Sequence, residues 1–266
     1  MMNTFYDIDF AKLYRQHFEQ SRNHESPKEW DKNAVKFAEK FVEKESDYVT
    51  QFLAKTMIEA KDSVLDIGCG PGTLAIPLAQ RGCQLFALDF SQGMLSLLDN
   101  YAVQAQLPNI QTIQKSWSDD WSDVPCADVV IASRATLVGN LDEAIDKLIA
   151  KAKKSVYLTA ITQPHFIDER IFAAIGRSNI GAPTYIYLLN RLYQRGIQAE
   201  LQFIEGARSE IEIESSEMLQ EIMQATLGEL TEEEKAKLAE FYQMTQDSHQ
   251  PIYQGQPKWA LISWKV

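Results

Sequence analysis

Five short runs of apolar, largely β-branched residues recur through the middle of the chain, at Ser63–Ile67, Gln84–Asp89, Ile110–Gln114, Asp128–Ser133 and Ser155–Ile161. Runs this short, with little polar alternation, suit strands covered on both faces. Between them lie helical patterns, the clearest being Leu141, Ile145, Leu148, Ile149 and Ala152, which fall on one face of a helix. Strand, helix, strand in repeated order predicts a parallel sheet with helices packed on both sides, a three-layer, doubly wound α/β architecture.

The flanks are mainly helical. Before residue 60, Phe37, Phe41, Tyr48, Phe52 and Leu53 stand at roughly helical spacing. Beyond the fifth strand the pattern predicts helices over Phe166–Arg177 and Tyr185–Gln194, then a strand over Gln198–Ile204. Helices over Ser216–Leu227 and Glu232–Gln243 follow, the latter opened by Thr231 with Glu234 three residues on, the spacing of a capping box. The segment Lys258–Val266 closes the chain as a strand, and a late strand reached by a long excursion fits an antiparallel addition to the sheet edge. The expected organisation is one domain over 1–266. Its parts are a helical cap at 1–45, a core at 46–161, an insert at 162–197, and closing strands with a helical excursion at 198–266.

Composition removes several classes of function. The 266 residues carry 26 basic and 37 acidic side chains, a net charge of −11, and the isoelectric point is near 4.9. Sustained contact with phosphates needs a basic face, so a nucleic-acid partner is disfavoured. No stretch of about 18 apolar residues occurs and the N-terminus lacks the basic start of a signal peptide, which predicts a cytoplasmic protein with no membrane partner. Three cysteines, Cys69, Cys83 and Cys126, form no CxxC pair, so neither a zinc site nor a disulfide framework is expected, and no metal.

The chemistry is concentrated in Ser63-Val-Leu-Asp66-Ile-Gly68-Cys69-Gly70-Pro-Gly72-Thr-Leu, a strand that runs into a glycine-rich turn and then a helix. Glycines let the backbone turn tightly and let a ligand approach its N–H groups, while the helix that follows adds its dipole. Pro77 requires that helix to begin near Thr73 or Leu74. A dinucleotide fingerprint would read GxGxxG. Here the third glycine comes one place early and Thr73 stands where glycine is wanted, while the Asp66 carboxylate would repel a pyrophosphate. At the end of the second strand, Asp89 can accept both hydroxyls of a ribose, and Ser91 can cap the next helix. The two segments together predict a ligand with an adenosine-like ribose and a cationic or amino-acid tail.

On the run DIGCGPG, Asp89 and the order of elements, the chain resembles the class I S-adenosylmethionine-dependent methyltransferases of small-molecule type, closely over about 47–161 and more loosely over the closing strands. The resemblance implies a Rossmann-like sheet, mostly parallel with an antiparallel C-terminal strand, and S-adenosyl-L-methionine as cofactor. It places the methionine portion on Asp66, Gly68, Cys69, Gly70 and Gly72, and the ribose on Asp89 with Phe90, Ser91 and Met94 beside it. The adenine falls to Ser116 and Trp117, although the family usually has an acid in that loop and this chain reads Lys115-Ser116-Trp117-Ser118-Asp119. Ser133 ends the fourth strand at the pocket rim. An acceptor wall is expected from Arg134 beside it, from His165 and Tyr185 after the fifth strand, and from Tyr14 and Trp30 in the N-terminal segment, whose aromatics suggest a cover over the pocket. The Asn/Asp-Pro-Pro-aromatic signature of nucleic-acid amino-methyltransferases is absent, since the place reads Ser133-Arg-Ala-Thr. A nicotinamide-dependent oxidoreductase and a non-catalytic S-adenosylmethionine-binding regulator remain as alternatives. No catalytic base is assigned, because in-line methyl transfer draws mainly on positioning. Replacing Asp66 with Asn is expected to lower both cofactor affinity and stability.

Overall fold

The computed structural model describes residues 4–21, 47–164, 168–177, 181–205, 213–249, 252 and 258–266. Seven strands form one sheet: β1 (Ser63–Ile67), β2 (Gln84–Asp89), β3 (Ile110–Gln114), β4 (Ala127–Ser133), β5 (Ala152–Ile161), β6 (Glu200–Glu205) and β7 (Lys258–Lys265). Their order is β3-β2-β1-β4-β5-β7-β6. β1 pairs in parallel with β2 and β4, and β4 with β5, whereas β7 runs antiparallel to both β5 and β6. The sheet is the mostly parallel, Rossmann-like one expected, with a single reversed strand. Because the order reverses between β1 and β4, their carboxyl ends diverge and leave a crevice there, the usual ligand position in such sheets.

Burial explains the strand sequences. Val64, Leu65 and Ile67 of β1 and Val129, Val130 and Ile131 of β4 are all essentially inaccessible, as central strands covered on both faces must be. Leu65 and Val130 pack on one side with Leu148 and Leu158, while Val64 and Ile131 pack on the other with Phe52, Leu78 and Leu98. The covering helices are α1 (Phe10–Gln20), α2 (Asp47–Lys55), α3 (Ala75–Gln80), α4 (Gln92–Gln104), α5 (Leu141–Lys151) and α7 (Tyr185–Gln194). Leu74 precedes α3, so Pro77 sits at its third position, where it breaks no ladder bond. β5 begins at Ala152, three residues earlier than its apolar run suggests, because α5 ends at Lys151 and passes straight into the strand.

The chain divides into two compact units, one made of 1–163, 182–206 and 258–266 and holding the sheet, the other of 164–181 and 207–257. The second contains α6 (Glu169–Ile175), α8 (Ser216–Leu227) and α9 (Glu232–Asp247). Its own apolar cluster includes Ile171, Ile175, Leu219, Leu238 and Phe241. The Thr231–Glu234 capping box is present. Glu234 also receives the Arg177 guanidinium through Nη2 at 2.8 Å, which draws its acid down to about 2. Helix α6 is shorter than expected, since Gly176 in a left-handed conformation stops it. Phe166, where it was expected to begin, lies outside the described residues, as do Phe37 and Phe41. Among the described residues no helix is long and apolar enough to cross a membrane.

Asp128, at the start of β4, ties the amino ends of the central strands together. Its carboxylate accepts from the Ser63 backbone N–H at 3.0 Å and from Ser63 Oγ at 2.7 Å, and Lys154 Nζ lies 3.3 Å away while reaching Asp62 at 2.7 Å. These bonds, led by the Ser63 N–H, lower the Asp128 acid to about 2. A carboxylate lowered by folding stabilises above its unfolded pKa and loses that contribution as pH falls through the folded value. Asp128→Ala should therefore cost about 1–2 kcal/mol at pH 7, measured by urea unfolding, and the difference from the parent should shrink as pH falls from about 4 to about 2.

Candidate active site

The turn after β1 folds back on β2. Gly68 N and Cys69 N both donate to Leu88 O, at 2.7 and 3.1 Å, and Gly68, Gly70 and Gly72 all take positive φ. Two of these glycines do different work. A Cβ on Gly68 would lie 2.4 Å from the Ala135 Cβ, so the close approach of the loop after β4 requires glycine there. At Gly70 an added Cβ would meet nothing within 4 Å. That peptide borders open space, which suits a backbone surface kept bare for a ligand.

Asp89 fixes the turn from below. Its Oδ2 accepts from Gly70 N at 2.8 Å and its Oδ1 from Ser91 N at 2.9 Å, and the side chain is buried. Ser91 then caps α4, its Oγ accepting from Met94 N at 3.1 Å. Phe90, between them, is only half-buried. Met94 is 1% exposed and Cys69 4% exposed. Both therefore belong to the core: Met94 is corrected from a ribose neighbour to a packing residue, and Cys69 can offer a ligand its backbone alone.

Asp66 is the anomaly. It is 1% exposed, and neither carboxylate oxygen has a hydrogen-bond partner. Burial, reinforced by the Asp89 charge and opposed by Arg134, pushes its acid up to about 7. Buried charges are ordinarily paired, and this carboxylate has no partner among the described residues.

The end of β4 carries a second cluster. Tyr48 of α2 is buried, and its hydroxyl sits 2.6 Å from Ser133 Oγ and 2.8 Å from Thr159 Oγ1. Arg134 takes φ +57°, donates its N–H to Thr159 Oγ1 at 2.9 Å, and lays its guanidinium 4.5 Å from the centre of the Tyr48 ring. Neither Tyr48 nor Thr159 stood out in the sequence. The available signals were a hydroxyl in the middle of the apolar run of β5 and a tyrosine on the buried stripe of α2.

The other expected residues among those described have partners within the chain. Ser116 belongs to a turn closed by Asp119, whose carboxylate accepts from Ser116 N at 2.7 Å. Trp117 donates its indole N–H to Ala135 O at 2.9 Å and stacks on Trp121 at 5.2 Å. It thus braces the loop that presses on Gly68. Tyr14 is corrected from acceptor wall to core: it is 3% exposed, and its hydroxyl accepts from Val138 N at 3.0 Å and donates to Thr136 O at 3.3 Å. Its ring and Tyr187 pack edge to face at 6.0 Å, and Phe5 meets Tyr193 at 5.4 Å. These contacts join the N-terminal segment to α7. Tyr185 packs on Phe203 of β6 at 5.9 Å. Trp30 and His165 lie outside the described residues.

Residues 64–156 match the model of a methyltransferase domain. An uncharacterised protein of Haemophilus influenzae is 53% identical over 264 residues, 99% of this chain and 98% of that protein. A ubiquinone biosynthesis O-methyltransferase of Rickettsia akari is 33% identical over 97 residues, which are 35% of this chain and 37% of that enzyme. Among solved structures, a SAM-dependent methyltransferase from Geobacter sulfurreducens, in complex with S-adenosyl-L-homocysteine, superposes with a TM-score of 0.52 at 16% identity, covering 87% of this chain and 96% of that one. These findings give the chain a methyltransferase domain over residues 64–156, on a sheet whose fold is that of the solved methyltransferase.

The orphaned state of Asp66 reverses the stability expected of Asp66→Asn. An acid raised by folding from 3.8 to about 7 makes the ligand-free protein bind a proton more tightly than the unfolded chain, so stability falls as pH rises through that window, by roughly 4 kcal/mol at most. Asparagine removes the charge and keeps one buried polar group. Asp66→Asn should melt several degrees above the parent at pH 8, and the difference should shrink steadily as pH falls and close only below about pH 4, read by calorimetry without ligand.

Proposed function

We propose that the protein transfers the methyl group of S-adenosylmethionine to a small-molecule acceptor in the cytoplasm, and that Asp66, Gly68, Gly70, Asp89 and Ser91 build the cofactor pocket. The reading is carried by Asp66. A buried carboxylate without a donor fits an ammonium group, and the open peptide of Gly70 leaves room beside it. The bound cofactor supplies an electrophilic methyl group on a sulfonium sulfur. The chain's own residues have the task of holding that group collinear with the acceptor and keeping water away, which is where most of the rate in such a displacement arises. Asp89 serves twice: it holds the turn through Gly70 and Ser91, and a carboxylate with four lone-pair positions can also take ribose hydroxyls. Phe90, half-exposed after it, offers an apolar edge to a base.

A small acceptor is supported by the net charge of −11, unfavourable for nucleic acid, and by Ser133-Arg-Ala-Thr at the end of β4. A relative over 35% of this chain, at 33% identity, is named an O-methyltransferase, which supports an oxygen nucleophile on the acceptor. Against a nicotinamide cofactor stands Asp66 itself, since a second anion would have to lie beside it.

Calorimetric titration should give tight binding of S-adenosylhomocysteine and none of NAD. Tight NAD binding without S-adenosylhomocysteine would overturn the proposal. Labelled S-adenosylmethionine incubated with fractionated metabolites should yield a labelled small molecule, which also separates an enzyme from a binding regulator. Asp89→Ala should weaken S-adenosylhomocysteine at least tenfold, as loss of charge-assisted bonds of about 1.5–3 kcal/mol each requires. Because Asp89 also holds Gly70 N and Ser91 N, the variant should melt lower as well.

A further inference from the structure

Arg134 is held with unusual care for an exposed side chain. Left-handed backbone is natural for glycine or asparagine and strained for arginine, and such strain survives only where the surroundings impose it. Here the N–H of Arg134 is fixed on Thr159 Oγ1, itself inaccessible to solvent. The same Thr159 oxygen and Ser133 Oγ hold the Tyr48 hydroxyl, and the Tyr48 ring supports the guanidinium at 4.5 Å. All the polar groups of this cluster are engaged in placing the guanidinium, yet among the described residues no acceptor takes its N–H donors. Beside it lies Asp66, close enough for the positive charge to act on the carboxylate but not in ion-pair contact. Packing of arginine on a tyrosine ring would need neither the left-handed turn nor an unpaired carboxylate as neighbour.

From this juxtaposition we propose that Arg134 is the carboxylate-binding residue for the α-amino acid end of the cofactor, with Tyr48 as the residue that positions it. The proposal rests on the reading of the pocket given above and assigns Arg134 to the cofactor's tail rather than to the acceptor. A free anion is a poor ligand here, because Asp66 and Asp89 both bear on the same space. A zwitterion satisfies both sides at once: its ammonium answers Asp66, and its carboxylate takes the planar fork of Arg134 in a bidentate pair.

Titration calorimetry with S-adenosylhomocysteine and its decarboxylated analogue, which keeps the amine, tests this. The wild type should bind the analogue at least tenfold more weakly. Arg134→Gln should weaken S-adenosylhomocysteine by at least tenfold and the analogue by less than twofold. Tyr48→Leu should give the same ligand-selective loss, and Tyr48→Phe, which keeps the ring, a smaller one. Equal affinity of the wild type for the two ligands, an Arg134→Gln protein that binds S-adenosylhomocysteine normally, or equal losses for both ligands would overturn the assignment. A wild type that binds neither ligand would instead sink the reading of the pocket on which it rests.

Discussion

The bonds from Gly70 N and Ser91 N to the Asp89 carboxylate hold the site together. A buried carboxylate is costly unless donors surround it, and buried N–H groups are costly unless accepted. Asp89 resolves both debts in one place, joining the turn after β1 to the start of α4. With Gly70 held there, Gly68 N and Cys69 N turn back to Leu88 O, and the turn closes over the end of β2. No donor is then left for Asp66, one strand away in the same crevice. One acid is satisfied by the chain and its neighbour is not, and that asymmetry gives the pocket its character.

The sheet and the turn were legible because local pattern determines them. Runs such as Val64-Leu65 and Val129-Val130-Ile131 have to be covered on both faces, and glycines at two-residue spacing after such a run leave few alternatives to a tight turn. The Thr231–Glu234 cap was equally local and formed as expected. What could not be read was long-range. Arg177 joins that same Glu234 from across the unit, and nothing near either residue announces the other. Tyr48 meets Ser133 and Thr159 from another part of the chain. On a helical stripe it reads as one more core aromatic, and its hydroxyl finds a purpose only once β4 and β5 are adjacent.

Aromatic content misled in the opposite direction. Tyr14 and Tyr187 suggest a pocket cover when counted within their own segments. Helical spacing says which residues share a face but not what that face meets. The two sets meet each other, Tyr14 against Tyr187 and Phe5 against Tyr193. Trp117 shows the same limit: a loop indole after β3 suggests a base-stacking platform, yet its N–H is bound to Ala135 O and its ring lies on Trp121. Its indole N–H also ties it to the loop whose Ala135 abuts Gly68.

Several departures from ordinary folding rules meet in one crevice, although Gln106 and His249 also take left-handed backbone elsewhere and Thr56 Oγ1 and Trp264 Nε1 are also buried without a partner. Asp66 is buried without a partner, Arg134 takes a backbone conformation suited to glycine, and three successive alternate residues, Gly68, Gly70 and Gly72, do likewise. A single departure of this kind reads as a tolerated defect, whereas an unpartnered acid, a left-handed arginine and a glycine turn together at the switch point of a doubly wound sheet point to function. The energetics follow from the same fact. A carboxylate pushed up to about 7 by burial is only partly ionised at neutral pH and would have to be fully charged to hold a cation. Uptake of a cationic group at neutral pH is therefore tied to release of a proton from Asp66, and part of the binding energy is spent in ionising it. Arg134 is exposed to solvent and is spared that desolvation. The two groups are complementary in sign and opposite in cost, and the guanidinium lies 4.5 Å from the Tyr48 ring centre rather than in ion-pair contact with Asp66.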